Sequence, residues 1–200
     1  MMRKILVVLL ICLPFIAQGQ DSSLKKVPKQ MSLEAGFRRI TSSELSNKAS
    51  NGASVLFDYA WQLSGFNGGR ASFISVPLGY TFMWSDLKPS NAVRVISYGW
   101  TVRHELRPQD GWVPYIGYAL MLNNYSEQGV DGHQFAHQTR FSLGLNQYNT
   151  SNFQPYLQID YSMTFYPQWG TKGSLGHKFV ELKFGVRFMK SRVKPSDSGI

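Results

Sequence analysis

The chain has one cysteine in 200 residues, Cys12. A single thiol forms no intrachain disulfide and no Cys-x-x-Cys redox or zinc motif. No apolar run approaches the ~20 residues a membrane helix needs. Charged residues make up only 16%, against about 25% in ordinary soluble domains. No segment of useful length repeats its apolar residues with helical period. Paired Cys/His metal spacing, a glycine-rich phosphate loop and a G-x-S-x-G elbow are all missing, so no cofactor is expected. His133 and His137 stand roughly 13 Å apart if extended, too far to share a metal unless the chain folds back.

What the chain does have begins at its start. "MMRKILVVLLICLPFIAQGQ" joins a basic opening (Arg3, Lys4), an apolar run from Ile5 to Ile16, and the small-x-small ending Ala17-Gln18-Gly19. This pattern predicts a secretory signal peptide over 1–19. Ile11, just before Cys12, is too large for a lipoprotein site. Cleavage would leave an exported chain without cysteine, held together by something other than disulfides. Residues 20–29 are polar, contain Pro28, and read as a flexible periplasmic lead-in. The net charge is +9, but the basic residues are scattered. In an exported chain they suit anionic lipid headgroups better than nucleic acid, which is not expected as a partner.

From residue 30 the pattern changes to a period of two. Eight segments alternate apolar and polar residues: 30–41, 53–64, 71–84, 92–107, 112–124, 134–148, 153–168 and 178–190. The last is the clearest. In "FVELKFGVRF", Val180, Leu182, Phe184, Val186 and Phe188 alternate with Phe179, Glu181, Lys183, Gly185 and Arg187. Such alternation marks a strand with two unlike faces. Each segment is long enough for a tilted membrane crossing of about 9–11 residues.

Side-chain volume indicates which face is outside. Gly36, Gly79, Gly99, Gly117, Gly144 and Gly185 share the polar face across six segments. An eight-stranded barrel has an interior that side chains just fill. Turning the Phe, Tyr, Trp and Leu face inward would overcrowd it, so the apolar face is expected to meet lipid. The polar face then carries its charges into the lumen, where unpaired charge is costly. The expected lumen ion-pair network comprises Glu34, Arg38, Asp58, Arg103, Glu105, Arg107, Arg140, Asp160, Glu181, Lys183 and Arg187. Mixed signs in so narrow a space argue against an open pore. Trp61, Trp84, Tyr98, Trp100, Trp112, Tyr115, Tyr125 and Trp169 are expected near strand ends, as headgroup-level aromatics. Connections after the first, third, fifth and seventh segments are mostly longer than the others, which places both termini at the periplasmic end.

These features resemble the small Gram-negative outer-membrane β-barrels, the class of OmpX, OmpW and the OmpA barrel, over residues 30–190. The resemblance implies an all-β, eight-stranded antiparallel up-and-down transmembrane barrel in the cell outer membrane. It also implies contact with outer-membrane lipid and lipopolysaccharide, a monomer, and insertion by the barrel-assembly machinery. Phe188, closing the last strand in "KFGVRF", is similar to the assembly signal of that class. The polar tail 191–200 departs from the class and reads as disordered. One enzyme group, the lipid A deacylases, shares the architecture and carries a lipid-facing His-x-Ser pair. Here the nearest stretches are Asp160-Tyr161-Ser162 and His137-Gln138-Thr139, so no catalytic residue is expected. The function expected is structural, adhesive or partner-binding, through the outer loops. A lipid-modifying outer-membrane enzyme of the deacylase kind, a small-molecule channel or carrier, and an accessory subunit of a secretion machine stand as alternatives.

Overall fold

A computed structural model describes residues 29–41, 50–65, 69–84, 92–127, 134–148, 152–166 and 175–189. The expected signal peptide, most of the lead-in and the polar tail lie outside them. Eight strands follow one another: β1 (Lys29–Ile40), β2 (Asn51–Ser64), β3 (Ser72–Trp84), β4 (Val93–Glu105), β5 (Gly111–Glu127), β6 (Gln134–Tyr148), β7 (Phe153–Tyr166) and β8 (Leu175–Met189). Each pairs antiparallel with the next, and β8 pairs back onto β1, closing the barrel. Closure satisfies every strand's ladder, the condition for a sheet in hydrocarbon.

The register fixes the tilt. A path along paired residues runs from Gln30 through Ala60, Ser75, Thr101, Ala119, Arg140, Ser162 and Phe179, and returns to β1 at Ile40. The offset of ten residues over eight strands is the barrel's shear. It corresponds to strands inclined at about 35–45° to the axis. Paired neighbours therefore climb about 1.25 residues per strand toward the end bearing residues 41–50.

Links 41–50, 85–92, 128–133 and 167–174 lie at one end, and 65–71, 106–110 and 149–152, shorter on average, at the other. The first is the outer end by the rule that outer loops are longer. The turn 106–110 ends at Gly111, whose φ of 58° favours a residue without Cβ.

Burial alternates residue by residue. On β8, Lys183 is 1% exposed while Leu182 is 42% and Phe184 62% exposed. The same phase runs around the barrel, with Leu33, Phe57, Leu78, Ile96, Leu120, Leu143 and Ile159 all outward and exposed. In water this exterior would be a continuous apolar surface far beyond what a soluble monomer carries. The volume argument also holds locally. Tyr115 pairs with Gly144, and Tyr156 with Gly185. A Cβ on Gly144 would stand 2.1 Å from the Tyr115 ring, and one on Gly185 2.4 Å from that of Tyr156. Those glycines are the seats on which inward tyrosines lie.

Two expectations about position need correction. β4 ends at Glu105, and Arg107 stands exposed in the turn that follows, so it is not a lumen residue. Pro108 has no N–H to extend the ladder, and the chain turns there, with Leu106 N–H bonding Pro114 O and Asp110 N–H bonding Pro108 O. Tyr115 and Tyr125, expected at the headgroups, are each 2% exposed and face the lumen. Trp100 and Tyr98 face lipid, but near the middle of β4. Trp61, Trp84 and Trp112 do lie near strand ends, and Trp169 is outside the described residues.

Candidate functional site

The lumen is layered. At the outer end Ile40, Met83, Val93, Val95, Tyr125, Ala136 and Phe179 form a buried apolar plug. At the inner mouth Val113, Tyr148 and Met189 form another. Phe179 falls on the lumen face in the sequence pattern, but the other inward apolar residues were not anticipated, because they sit on the face read as mostly polar. Between the plugs lie two chemically different layers.

The layer on the outer side is ionic. Lys183 Nζ reaches Glu34 Oε1 at 2.5 Å, Asp160 Oδ2 at 3.1 Å and Glu181 Oε2 at 3.8 Å. Arg38 Nη2 donates to both Glu181 oxygens, at 3.2 and 3.1 Å. Ser54 Oγ donates to Glu181 as well. Arg140 Nε lies 3.7 Å from Asp160 Oδ2, and its Nη2 donates to Thr101 Oγ1 at 3.3 Å. Three cations (Arg38, Arg140, Lys183) thus meet three carboxylates (Glu34, Asp160, Glu181). The strand pairings arrange this directly. Arg38 pairs with Glu181 across β1–β8, and Asp160 with Glu181 across β7–β8.

The layer on the inner side is aromatic. The Arg187 guanidinium lies 3.7 Å from the Tyr156 ring centre and 4.7 Å from that of Tyr115. That of Arg103 lies 4.1 Å from Phe73 and 5.6 Å from Tyr115. Arg103 Nη2 also donates to Gln30 Oε1 at 2.5 Å. Tyr148 donates to Glu105, and Tyr156 links the layers by donating to Glu34 Oε2 at 2.5 Å. Asp58, the remaining acid, has an oxygen (Oδ1) without a hydrogen-bond partner. It lines a cavity of about 30 Å³ shared with Arg103, Arg140 and Arg187, room enough for water.

Of the eleven residues expected in the lumen, ten face it, and Arg107 does not. The aromatic partners were missed. Their signal was the pairing of an inward Tyr with an inward Gly on the neighbouring strand, which needs the register to be seen. Asp160 and Ser162 are fully buried in the lumen, whereas His137 and Thr139 lie on the outward side of β6. His133 is outside the described residues. Among the described residues no cluster of His, Cys, Asp and Glu could hold a metal ion.

The exterior has its own charge pattern. Among the described strand residues, the outward-facing charges are Lys29, Arg39, Arg94 and Lys178, all basic, while Glu34, Asp58, Glu105, Asp160 and Glu181 all point inward. Lys29 and Arg39 bracket the outward apolar residues Met31, Leu33, Ala35 and Phe37 on β1. Their ten-residue separation is about 25 Å along the axis at ~3.3 Å per residue and a ~40° tilt. That is the height of the apolar band on a transmembrane barrel.

No protein-family model matches the chain, and no curated protein matches it. Solved structures do. The chain is similar to Neisserial surface protein A, with 21% identity and a TM-score of 0.59 over 81% of this chain and 97% of that one. It is similar also to the outer membrane protein AlkL, solved in lipid bilayers, with 11% identity and a TM-score of 0.50 over 89% and 97%. The N-terminal β-barrel domain of Pseudomonas aeruginosa OprF matches with 16% identity and a TM-score of 0.47 over 80% and 97%. The first two likenesses establish the fold, that of the small outer-membrane barrels. The closed ladder, the 25 Å apolar band and the polar interior are those of an outer-membrane barrel, and the outer membrane is where such a chain resides.

Proposed function

We propose that this barrel is a sealed structural or adhesive element whose work is done by its outer loops, 41–50, 85–92, 128–133 and 167–174. The observation that carries the reading is the filled lumen: two ionic and aromatic layers between two apolar plugs. A solute would have to displace Lys183 from three carboxylates at the centre and Phe179 and Tyr125 above them. A non-enzymatic role fits the same picture, since Asp160 is engaged by Lys183 and Arg140 and turned away from lipid.

The test pairs two measurements. In planar bilayers the purified barrel should show no steady single-channel conductance. Replacing the loops one at a time by short Gly-Ser links should abolish surface attachment of expressing cells without unfolding the barrel. A stable open conductance would overturn the sealed reading, and attachment unchanged by all four replacements would overturn the loop reading.

Insertion by the assembly machinery is a separate proposal, resting on Phe188. Its ring faces lipid at the inner end of β8 and packs edge-on against Phe153 at 5.0 Å. Phe188→Ala should slow insertion in cells while leaving refolding in detergent nearly unchanged. Equal slowing in both would make the residue merely structural.

A further inference from the structure

The two arginines of the aromatic layer are only partly satisfied. Stacking on a ring uses the face of a guanidinium, and its N–H groups lie in the plane and still need acceptors. Arg187 Nε and Nη1 and Arg103 Nε are buried without a hydrogen-bond partner. The two residues are only 3% and 7% exposed. Both guanidiniums lie against one ring, that of Tyr115, at 4.7 Å for Arg187 and 5.6 Å for Arg103 from its centre. Both also line the cavity of about 30 Å³.

The charges around that cavity do not cancel. Among the described residues the charged ones lining it are Glu34, Asp58, Arg103, Arg140 and Arg187. Glu34 is taken up by Lys183 and Tyr156, and Arg140 lies against Asp160 and Thr101. Arg103 and Arg187 are left facing one carboxylate, Asp58, whose Oδ1 is itself without a partner. Glu105 stands nearer the inner mouth, bonded by Tyr148, and does not line the cavity. Two cations close together in a dry interior repel strongly, and a buried charge without a counterion is costly.

We propose that this cavity is a binding site for a small monovalent anion of halide size, chloride above all, held between Arg103 and Arg187. A volume of about 30 Å³ takes two water-sized particles at roughly 10–15 Å³ each. The anion is one, and a water is the other, donating one O–H to Asp58 Oδ1 and the second to the anion. Together they offer acceptors to the arginine N–H groups, a donor to Asp58, and the missing negative charge. The site is a dead end. Lys183 with its three carboxylates closes it toward the outside, so the anion exchanges through the inner mouth, past Tyr148 and Met189. Such a site holds an anion without conducting it, and it stands whether or not the loops bind a partner.

The test uses the full barrel in nonionic detergent, dialysed to equilibrium against radiolabelled chloride in sodium gluconate, whose anion is too large for the cavity. The wild-type barrel should hold one chloride more per chain than Arg187→Gln. Arg107→Gln, which alters a charge outside the lumen, should match wild type. Asp58→Asn should tighten chloride at least tenfold, because it removes the one negative charge facing the anion. Exchanging gluconate for chloride at constant ionic strength should raise the urea midpoint of wild type and leave that of Arg187→Gln in place, since a ligand of the folded state alone stabilises that state. Where Arg187→Gln gives no fast-migrating unheated band in SDS, Arg103→Gln takes its place. Equal chloride on wild type and the arginine variant would overturn the proposal, and the cavity would then hold water only. Weaker binding by Asp58→Asn would overturn it too.

Discussion

The two middle layers of the lumen solve one problem in different ways. Each must hold arginine or lysine in an interior too narrow to hydrate it. On the outer side, three cations and three carboxylates are held in a connected net, with Lys183 touching three acids. On the inner side, Arg103 and Arg187 lie on ring faces, and the acids Asp58 and Glu105 make no direct ion pair with them among the described contacts. The ionic layer uses strong, directional and mutually dependent contacts. The aromatic layer uses weaker ones, each worth about 0.5–2 kcal/mol, that tolerate replacement better. The outer layer should therefore fail all at once and the inner one by degrees.

The largest effect is expected at Lys183. Lys183→Met leaves Glu34, Asp160 and Glu181 without their shared cation, and breaking a buried pair from one side costs about 3–5 kcal/mol. Unfolding in urea, followed by loss of the fast-migrating unheated band, should shift by that amount. Adding Glu34→Gln should recover part of the loss, since one stranded charge is then gone. A double variant whose loss is the sum of the two single losses would show that the net is not coupled.

Next in size is the neighbouring wall position. Leu182 faces lipid near mid-height, and Leu182→Arg should cost roughly 2–4 kcal/mol at the midplane. Lys183→Arg keeps its charge in the lumen but exchanges a compact ammonium for a planar fork in a filled space. Its cost should lie below that of Leu182→Arg. A polarity-sensitive fluorophore on Leu182→Cys should be quenched by brominated lipid, and one on Lys183→Cys should not. Quenching at 183 with none at 182 would invert the two faces.

The aromatic layer should respond less. Arg187→Lys keeps the charge but loses the flat stacking surface on Tyr156 and Tyr115. A loss of about 1 kcal/mol is expected in the same urea assay. A loss of 3 kcal/mol or more would mean that the inner layer is as ionic as the outer, and would erase the contrast between them.

Much of this was legible in the sequence because a period of two assigns every side chain to one of two faces. Glu181 and Lys183 against Leu182 and Phe184 needed no structure. Neither did the glycines, whose place on the polar face chose lipid as the outer medium. What alternation cannot carry is height. Trp100 and Tyr98 share a face with Trp84 but not a depth, since Trp84 closes β3 and they sit in the middle of β4. Inward aromatics such as Phe73 and Tyr125 were obscured because that face was read as mostly charged, polar or glycine. The Tyr115–Gly144 and Tyr156–Gly185 seats join residues of different strands, which no single strand's pattern shows.

The smallest effect belongs to the residue that alternation misplaced. Arg103 and Arg107 are four apart, and an unbroken β4 would put both in the lumen. The strand ends at Glu105, so the two differ in everything but type. Arg103 is 7% exposed and stacked on Phe73, whereas Arg107 stands in a solvent-facing turn before Pro108. Arg103→Gln removes the stacked guanidinium and its bond to Gln30, and leaves Glu105 and Asp58 with one cation fewer nearby. Arg107→Gln removes a charge already in water, and such changes fall within about 0.5 kcal/mol. The urea midpoint should therefore move clearly for Arg103→Gln and hardly at all for Arg107→Gln. Equal shifts would mean that β4 runs on past Glu105 and carries Arg107 into the barrel, and the inner mouth would then hold a third arginine that Val113, Tyr148 and Met189 leave no room for.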